Sequence, residues 1–369
     1  MITLENRIRA FIKLGNLMGQ ASANLKPAAN EPCYTAFENL IKAMKQAYIQ
    51  NPWFTPDNIA ASFRAWSYSL SEQKIRQWLN PYVTLLADDP EPRKTAVIMA
   101  GNIPLAGLHD LICVLISGNS LLGKVSADDA CLLPAIAGLL CAIEPGFGPL
   151  IEFSTEKMSG FDMVIATGSN NTSRYFEQYF AAYPHIIRHN RNGIAVLNGH
   201  ETPAELENLG HDIFSYFGLG CRSMSMMYVP ENYDFSLFSG AVAVYRDRMI
   251  MHHKYMNNYT YRKTIFMLNN TPFIDGGFFL ACENQDFISP ISVIHYFHYK
   301  SLPALAEYLE NEHDNIQCIL SNISTLQHAV PLGKGQQPEL WDWADGTDTL
   351  KFLLENMPPF EKNEQGTVK

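Results

Sequence analysis

The 369-residue sequence has no CxxC pair, no HExxH and no GxSxG, which removes the common signatures of zinc sites, thiol redox motifs and serine hydrolases. It is short of positive charge. Lys plus Arg is 27 against 37 Asp plus Glu, a formal net charge of −10, so the surface offers no general face for tracking phosphates and nucleic acid is not an expected partner. Long apolar runs are missing too: the longest, Ala130 to Ile143, has 14 residues and contains Pro134, against the ~20 needed for a membrane span. Met1 to Gly15 interleaves Glu5, Arg7, Arg9 and Lys13 with apolar residues and lacks the unbroken apolar stretch of a signal peptide. The seven cysteines (33, 113, 131, 141, 221, 282 and 318) are an odd number without metal-like clustering, which reads as free thiols in a reducing, cytoplasmic compartment.

Two incomplete motifs are informative by what they omit. Gly118 to Val125 approaches the phosphate loop GxxxxGK[ST], but Val125 replaces the magnesium-binding hydroxyl, and the expected order is helix, loop, strand rather than strand, loop, helix. The glycine pairs at 146/148, 218/220 and 333/335 do not complete GxGxxG. Adjacent His252 and His253 cannot both face one metal from one helix, so a solvated or locally bonded pair is expected.

What is present is a large supply of core: 47% apolar and 12% aromatic residues against only 17% charged, enough for about two domains. Residues 1–93 read as a helical segment, with apolar positions at helical spacing in Leu4–Met18, Ala36–Tyr48 and Ile59–Leu79. From Lys94 the pattern alternates. Strands are expected at Thr95–Met99, Ser120–Val125 and Met163–Ala166, with helices at Leu105–Ile116, Ala130–Ile143 and Ser173–Ala182, the pattern of a parallel sheet covered on both faces. Strands at His185–Arg188 and Ile194–Leu197 precede Thr202-Pro203-Ala204-Glu205, a capping box that opens a helix running to about Phe217. A second α/β unit follows, giving expected domains of 94–205 and 206–330, with 331–369 a C-terminal return segment packed after them.

Cys221 differs from the other cysteines in its setting. It lies on a glycine-flanked bend, Gly218-Leu219-Gly220-Cys221, with Arg222 beside it, and a neighbouring cation with backbone N–H groups favours the thiolate that a nucleophile needs. A purely structural turn remains the alternative for these residues.

Several segments, read in order, resemble one superfamily. Val97 to Leu105 (VIMAGNIPL) is similar to the strand-plus-Asn-x-Pro entry of the aldehyde dehydrogenases, Ser117-Gly118-Asn119 through Lys124-Val125-Ser126 to their AGN…KPS segment, and Ile165 to Ser169 to their FTGS turn. Phe217 to Cys221 resembles their glycine-flanked nucleophile, and Asp286 to Pro290 with Ile291-Ser292-Val293 a degenerate EIFGP segment. The nearer likeness is to the LuxC-type acyl-CoA reductases, in a short version, through Asp212 to Ser223 (DIFSYFGLGCRS), Lys254 to Asn258 (KYMNN) and Trp343 to Thr349 (WADGTDT).

This resemblance implies an aldehyde dehydrogenase-like α/β fold, a Rossmann-type cofactor domain (94–205) plus an α/β catalytic domain (206–330) with a helical N-terminal segment. It implies that Cys221 attacks a thioester carbonyl to form an acyl-enzyme, with coenzyme A leaving, while the Asn102 amide and the Cys221 N–H hold the oxyanion. Lys124 and Ser126 would bind the adenosine ribose, the lysine favouring NADPH over NADH, and Thr167, Gly168 and Ser169 would approach the pyrophosphate. Asp286 stands where relatives place a ribose-binding glutamate, one methylene shorter.

The stretch where aldehyde-oxidising relatives carry a water-activating glutamate is Arg188-His189-Asn190-Arg191-Asn192-Gly193, without a carboxylate. Losing such a base removes typically about 10²- to 10⁴-fold of activation, which favours thioester reduction over hydrolysis. His189 and His211 are the candidate acid/base replacements, and Arg188, Arg191 and Arg222 could meet a CoA or cofactor phosphate or simply pair with local acids. A fatty acyl chain would need an apolar channel, for which Phe214–Phe217, Tyr255–Tyr261 and Phe278-Phe279 are candidates beside ordinary core packing. The expected substrate is an acyl-CoA or acyl-carrier thioester, and the expected associations are a homo-oligomer or an acyl-activating partner protein. An acyltransferase or aldehyde dehydrogenase of the same fold, and a non-catalytic acyl-binding subunit, are the rival readings.

Overall fold

Local sequence sets the helix starts. Thr3 caps α1 (Leu4–Ser22) by accepting from the Asn6 N–H at 3.3 Å, and after α2 (Tyr34–Gln50), Thr55 does the same for α3 (Pro56–Ser69), where Pro56 supplies a preset φ at the first turn. The computed structural model describes residues 2–86 and 92–356; the ends of the expected helical and return segments, 87–91 and 357–369, lie outside the described residues. The chain continues with α4 (Glu72–Leu79), α5 (Val83–Leu86), β1 (Lys94–Ile98), α6 (Leu108–Ile116), β2 (Ser120–Lys124), α7 (Leu132–Ile143), β3 (Ile151–Phe153), β4 (Met163–Thr167), α8 (Asn170–Phe180) and β5 (His185–Arg188). These strands form one wholly parallel sheet in the order β3-β2-β1-β4-β5. Its central strands are buried runs of Ala, Val, Ile and Leu, as expected where helices cover both faces. The chain steps outward from β1 through β2 to β3, then restarts at β4 on the other side, so the order reverses between β1 and β4. Crevices for ligands open at such a reversal, beyond the carboxyl ends of the strands.

The same unit includes the N-terminal helices. Phe11, Leu14, Phe37, Phe63 and Trp78 share one continuous buried cluster with Leu111 and Val114 of α6 and with Leu133 and Leu140 of α7. Gly118 explains the failed phosphate loop: its φ is +94°, and a Cβ there would lie 2.5 Å from the Arg7 guanidinium, so this turn is filled by a side chain.

The second unit runs from Asn190 to Pro338, and the first resumes at Glu339. Its elements are β6 (Asn192–Val196), α9 (Pro203–Phe214), β7 (Met224–Pro230), α10 (Phe235–Ala241), α11 (Arg246–Ile250), α12 (His253–Leu268), β8 (Ile274–Asp275), β9 (Leu280–Glu283), β10 (Val293–Tyr299), α13 (Leu302–Asn311) and β11 (Ile316–Leu320). The sheet order is β11-β6-β7-β10-β9-β8, parallel except for β8. The division therefore falls after His189, before the expected 205. The cause is pairing: β6 bonds to β7 and β11, both later in the chain. The capping box forms as read, with Thr202 and Glu205 each accepting the other's backbone N–H. Beyond Pro338 the chain returns to the first unit and ends its described part with α14 (Thr349–Glu355). Among the described residues no helix is long and apolar enough to cross a membrane.

Candidate active site

In the first unit, the carboxyl ends of the strands carry the candidate cofactor residues. Gly101 and Ser126 are in close apposition, since a Cβ on Gly101 would lie 2.5 Å from the Ser126 Cβ, and this joins the exit of β1 to that of β2. The loop carrying Asn102 is then pinned twice more. Ser62 of α3 donates to the Pro104 carbonyl at 2.8 Å, and the Asp129 carboxylate accepts from the Leu105 N–H at 2.8 Å, which holds Leu105 at φ 63°. Asp129 is buried, and burial pushes its carboxyl up to about 6 although the Leu105 and Leu132 N–H groups oppose the shift. Ser126 caps the following turn by accepting from Asp128.

At the exit of β4, Thr167, Gly168 and Ser169 lead into α8, where Ser169 is the N-cap and accepts from the Thr172 N–H at 3.3 Å. Gly168 donates to the Arg188 carbonyl at 3.3 Å, and a side chain on it would meet Phe176 and Thr172 at 3.1 Å. The N-terminus of α8 thus presents its backbone donors and positive dipole end at the strand-order reversal, a suitable place for phosphate. Further along α8, its middle and C-terminal part face a cleft of about 590 Å³ lined by Ile98, Lys124, Lys157, Met158, Tyr175, Phe176 and Tyr179. Lys124 donates to the Glu156 carbonyl at 3.4 Å. The aromatic walls and the lysines of the cleft fit a nucleotide.

Arg188 does not serve as a phosphate fork. It is buried, donating to Asp110 of α6 at 2.6 Å and to Thr349 of α14 at 2.9 Å. Burial works against its charge, but the Asp110 carboxylate outweighs this and the guanidinium stays above its ordinary value. His189 follows, its N–H donating to Asp345 at 3.2 Å and its Nδ1 bonded to Ser173 of α8 at 2.8 Å. The segment Trp343–Thr349 thereby gains a physical role. Trp343 packs on the His109 ring at 5.4 Å, Asp345 holds His189, Asp348 accepts from Tyr82 at 2.5 Å, and Thr349 completes the Arg188 site.

In the second unit, Cys221 follows three successive residues in left-handed conformation: Tyr216 (φ 51°), Phe217 (φ 59°) and Gly218 (φ 76°). Two of them carry side chains, at a cost of about 1–2 kcal/mol each. Packing holds them there. The Phe217 ring lies 4.1 Å from that of His252, with the Arg248 guanidinium 5.5 Å above it and Tyr255 at 6.0 Å. His252 in turn caps α12, accepting from the Tyr255 N–H, so it is locally bonded and, with Tyr255, buttresses the bend. The elbow leaves Cys221 exposed, alone among the seven free cysteines.

The next residue, Arg222, donates from Nε to the Gly335 carbonyl at 2.6 Å. The Gly333–Gly335 loop is itself fixed by buried Asp212, which accepts from the Gly333 and Gly335 N–H groups at 2.6 and 2.9 Å. Burial raises that carboxyl to about 6. Gly193 runs against this turn: its N–H donates to the Ser223 carbonyl at 3.2 Å, and a Cβ there would be 2.7 Å from the Arg222 carbonyl. Gly193, at the end of the carboxylate-free stretch, therefore packs against the Cys221 bend. Arg191 pairs with Asp314 at 3.6 Å. His211, in the last turn of α9, has its pKa lowered by burial and by the fields of Arg248 and Lys334. Asp286 is exposed in the loop after β9, its carbonyl accepting from His295 at 2.8 Å.

The expected aromatic channel is not lined by Phe214, Phe278 and Phe279. All three are buried against one another at centroid distances of 5.2–6.0 Å and form core. Of the expected site residues, Asn102, Lys124, Ser126, Thr167–Ser169 and His189 belong to the first unit, and Cys221 and Asp286 to the second. Asp110, Asp129, Asp212, Asp345 and Thr349 were not among the expected residues. The signal for Asp110 was available, since a lone acid inside the apolar run Leu108–Ile116 requires a buried partner.

Residues 90–244 match the family model described as acyl-CoA reductase (LuxC). No curated protein matches the chain. Among solved structures, an oxidoreductase from Marinobacter aquaeolei is similar with a TM-score of 0.64 at 10% identity, over 96% of this chain and 85% of that one. Aldehyde dehydrogenase 21 from Physcomitrella patens, in complex with its product succinate, gives 0.60 at 11%, over 96% and 87%. The NAD+ complex of an aldehyde dehydrogenase from Bacillus cereus gives 0.55 at 13%, over 87% and 77%. The doubly wound first sheet and these structural likenesses give the chain an aldehyde dehydrogenase-like fold, and its stretch 90–244 is similar to the LuxC acyl-CoA reductase family.

Proposed function

We propose that this protein reduces an acyl-CoA thioester to the aldehyde, using NADPH and an acyl-enzyme on Cys221. The observation that carries the reading is the Cys221 elbow: an exposed thiol beside Arg222, against a strand start, Arg191-Asn192-Gly193, that brings no carboxylate. The Cys221 sulfur, as thiolate, bonds to the thioester carbonyl carbon. Negative charge moves onto the carbonyl oxygen, where the Cys221 N–H and the Asn102 side-chain amide are the assigned donors. The charge returns, the bond from carbon to the coenzyme A sulfur breaks, and the departing thiolate takes a proton, leaving acyl-Cys221. No carboxylate stands in that stretch to activate water, so the acyl-enzyme is spared from hydrolysis.

A reduced nicotinamide, when bound, supplies the hydride that converts the acyl group to aldehyde and frees the thiolate. Gly168, Ser169 and the N-terminus of α8 would hold its pyrophosphate, with Thr167 beside them, and Lys124 and Ser126 its adenosine ribose. Asp286 is assigned to the nicotinamide ribose. His189, oriented by Ser173 and Asp345, is assigned to proton movement.

The test is a series of acyl-CoA thioesters with NADPH, followed at the nicotinamide absorbance, with Cys221→Ser alongside. Thioester-dependent oxidation that vanishes in the variant is expected. Intact mass showing acylated Cys221 without nicotinamide consumption would replace the reading with acyl transfer. Acid formation from aldehyde with NADP+ as the faster reaction would replace it with aldehyde oxidation.

A further inference from the structure

The cleft beside α8 contains a lysine that the reading above does not use. Lys157, in the connection between β3 and β4, holds its Nζ 5.3 Å from the centroid of the Tyr179 ring. That contact places an ammonium on the cleft wall, which Lys124 of β2 also lines. Among the described residues that line the cleft there is no carboxylate. In Rossmann-type sheets an acid near the end of the second strand commonly accepts from the 2′-hydroxyl of NAD, and the same acid repels a 2′-phosphate. Here that strand ends on Lys124. The cleft thus combines aromatic surface for a base with two cations and, among its described lining residues, no carboxylate.

We propose that Lys157 is a specificity-determining residue which, with Lys124, clamps a phosphate on the adenosine 2′-oxygen and so selects NADP over NAD. The inference rests on the nicotinamide reading and deepens it. Each lysine acts as a point charge that follows the phosphate, so the clamp tolerates Arg at 157 but not a neutral side chain.

The test uses the full chain and nucleotides that carry no nicotinamide, so that binding is read without catalysis. Adenosine 2′,5′-bisphosphate and 5′-AMP are titrated by calorimetry into the wild type, Lys157→Gln and Lys157→Arg, with a thermal melt of each to establish folding. The wild type is expected to prefer the bisphosphate; Lys157→Gln should weaken it about tenfold, leave 5′-AMP unchanged, and flatten the salt dependence, while Lys157→Arg retains the preference. If 5′-AMP binds but Lys157→Gln weakens both nucleotides equally, or neither, the assignment of Lys157 is overturned and the nucleotide site stands. If neither nucleotide binds the wild type, the nicotinamide reading fails and takes the clamp with it.

Discussion

Arg188 offers a sharp test because its chemistry suits two opposite roles. As a phosphate ligand it would be dispensable for folding; as found, it is a buried charge whose side chain is 6% exposed and whose partner Asp110 is 5% exposed. Removing one member of such a pair leaves the other charge buried without compensation, a loss of roughly 3–5 kcal/mol, whereas replacing both by apolar groups of similar volume is often nearly neutral. Arg188→Met and Asp110→Leu should therefore each lower the melting temperature by on the order of 10 °C for a unit of this size. The double variant should lose clearly less than the sum. Scanning calorimetry on the three variants measures this, and a coenzyme A titration well below the melting temperature supplies the second readout. An Arg188→Met protein that melts with the wild type but binds coenzyme A more weakly would refute the argument.

Two further outcomes follow from burial. Iodoacetamide should add one label per native chain, on Cys221, because Cys33, Cys113, Cys282 and Cys318 are buried and burial raises the thiols of half-buried Cys131 and Cys141; peptide mapping that finds the label spread over several cysteines would contradict the elbow. Asp129, raised from 3.8 to about 6, holds its proton more tightly folded than unfolded, so its penalty is absent below the usual carboxylate range, grows as pH rises toward about 6, and is roughly 3 kcal/mol above that. Urea midpoints measured between pH 4 and 7 should fall less with rising pH in Asp129→Asn than in the wild type, and identical slopes would count against the buried carboxylate.

Much of this molecule is legible from local pattern. The alternation of short apolar strands with helices gives the first sheet, and the glycines before Cys221 mark its bend. What escaped is non-local. β6 joins the second sheet because its partners β7 and β11 come later in the chain, and no residue within Asn192–Val196 announces that choice. β3 is too short to show a period, and α14 is a seven-residue helix whose use is to close over Arg188. The elbow was readable as glycine, but its stiffness comes from Tyr216 and Phe217, aromatics in a backbone region they disfavour, held by His252 and Arg248 from distant elements. Lys157 stands on an irregular connection, where neither helical nor strand spacing gives a side chain a direction.

The return of the chain at Glu339 has a consequence for how the protein is made. The second unit is one uninterrupted stretch, Asn190 to Pro338, spliced into the first. A ribosome therefore delivers the whole second unit before it delivers Trp343, Asp345 and Thr349, on which His109, His189 and Arg188 depend. The first unit must wait, with a charged arginine awaiting its hydroxyl partner, while a complete neighbour can already fold. The unit that begins synthesis first is the one that finishes last.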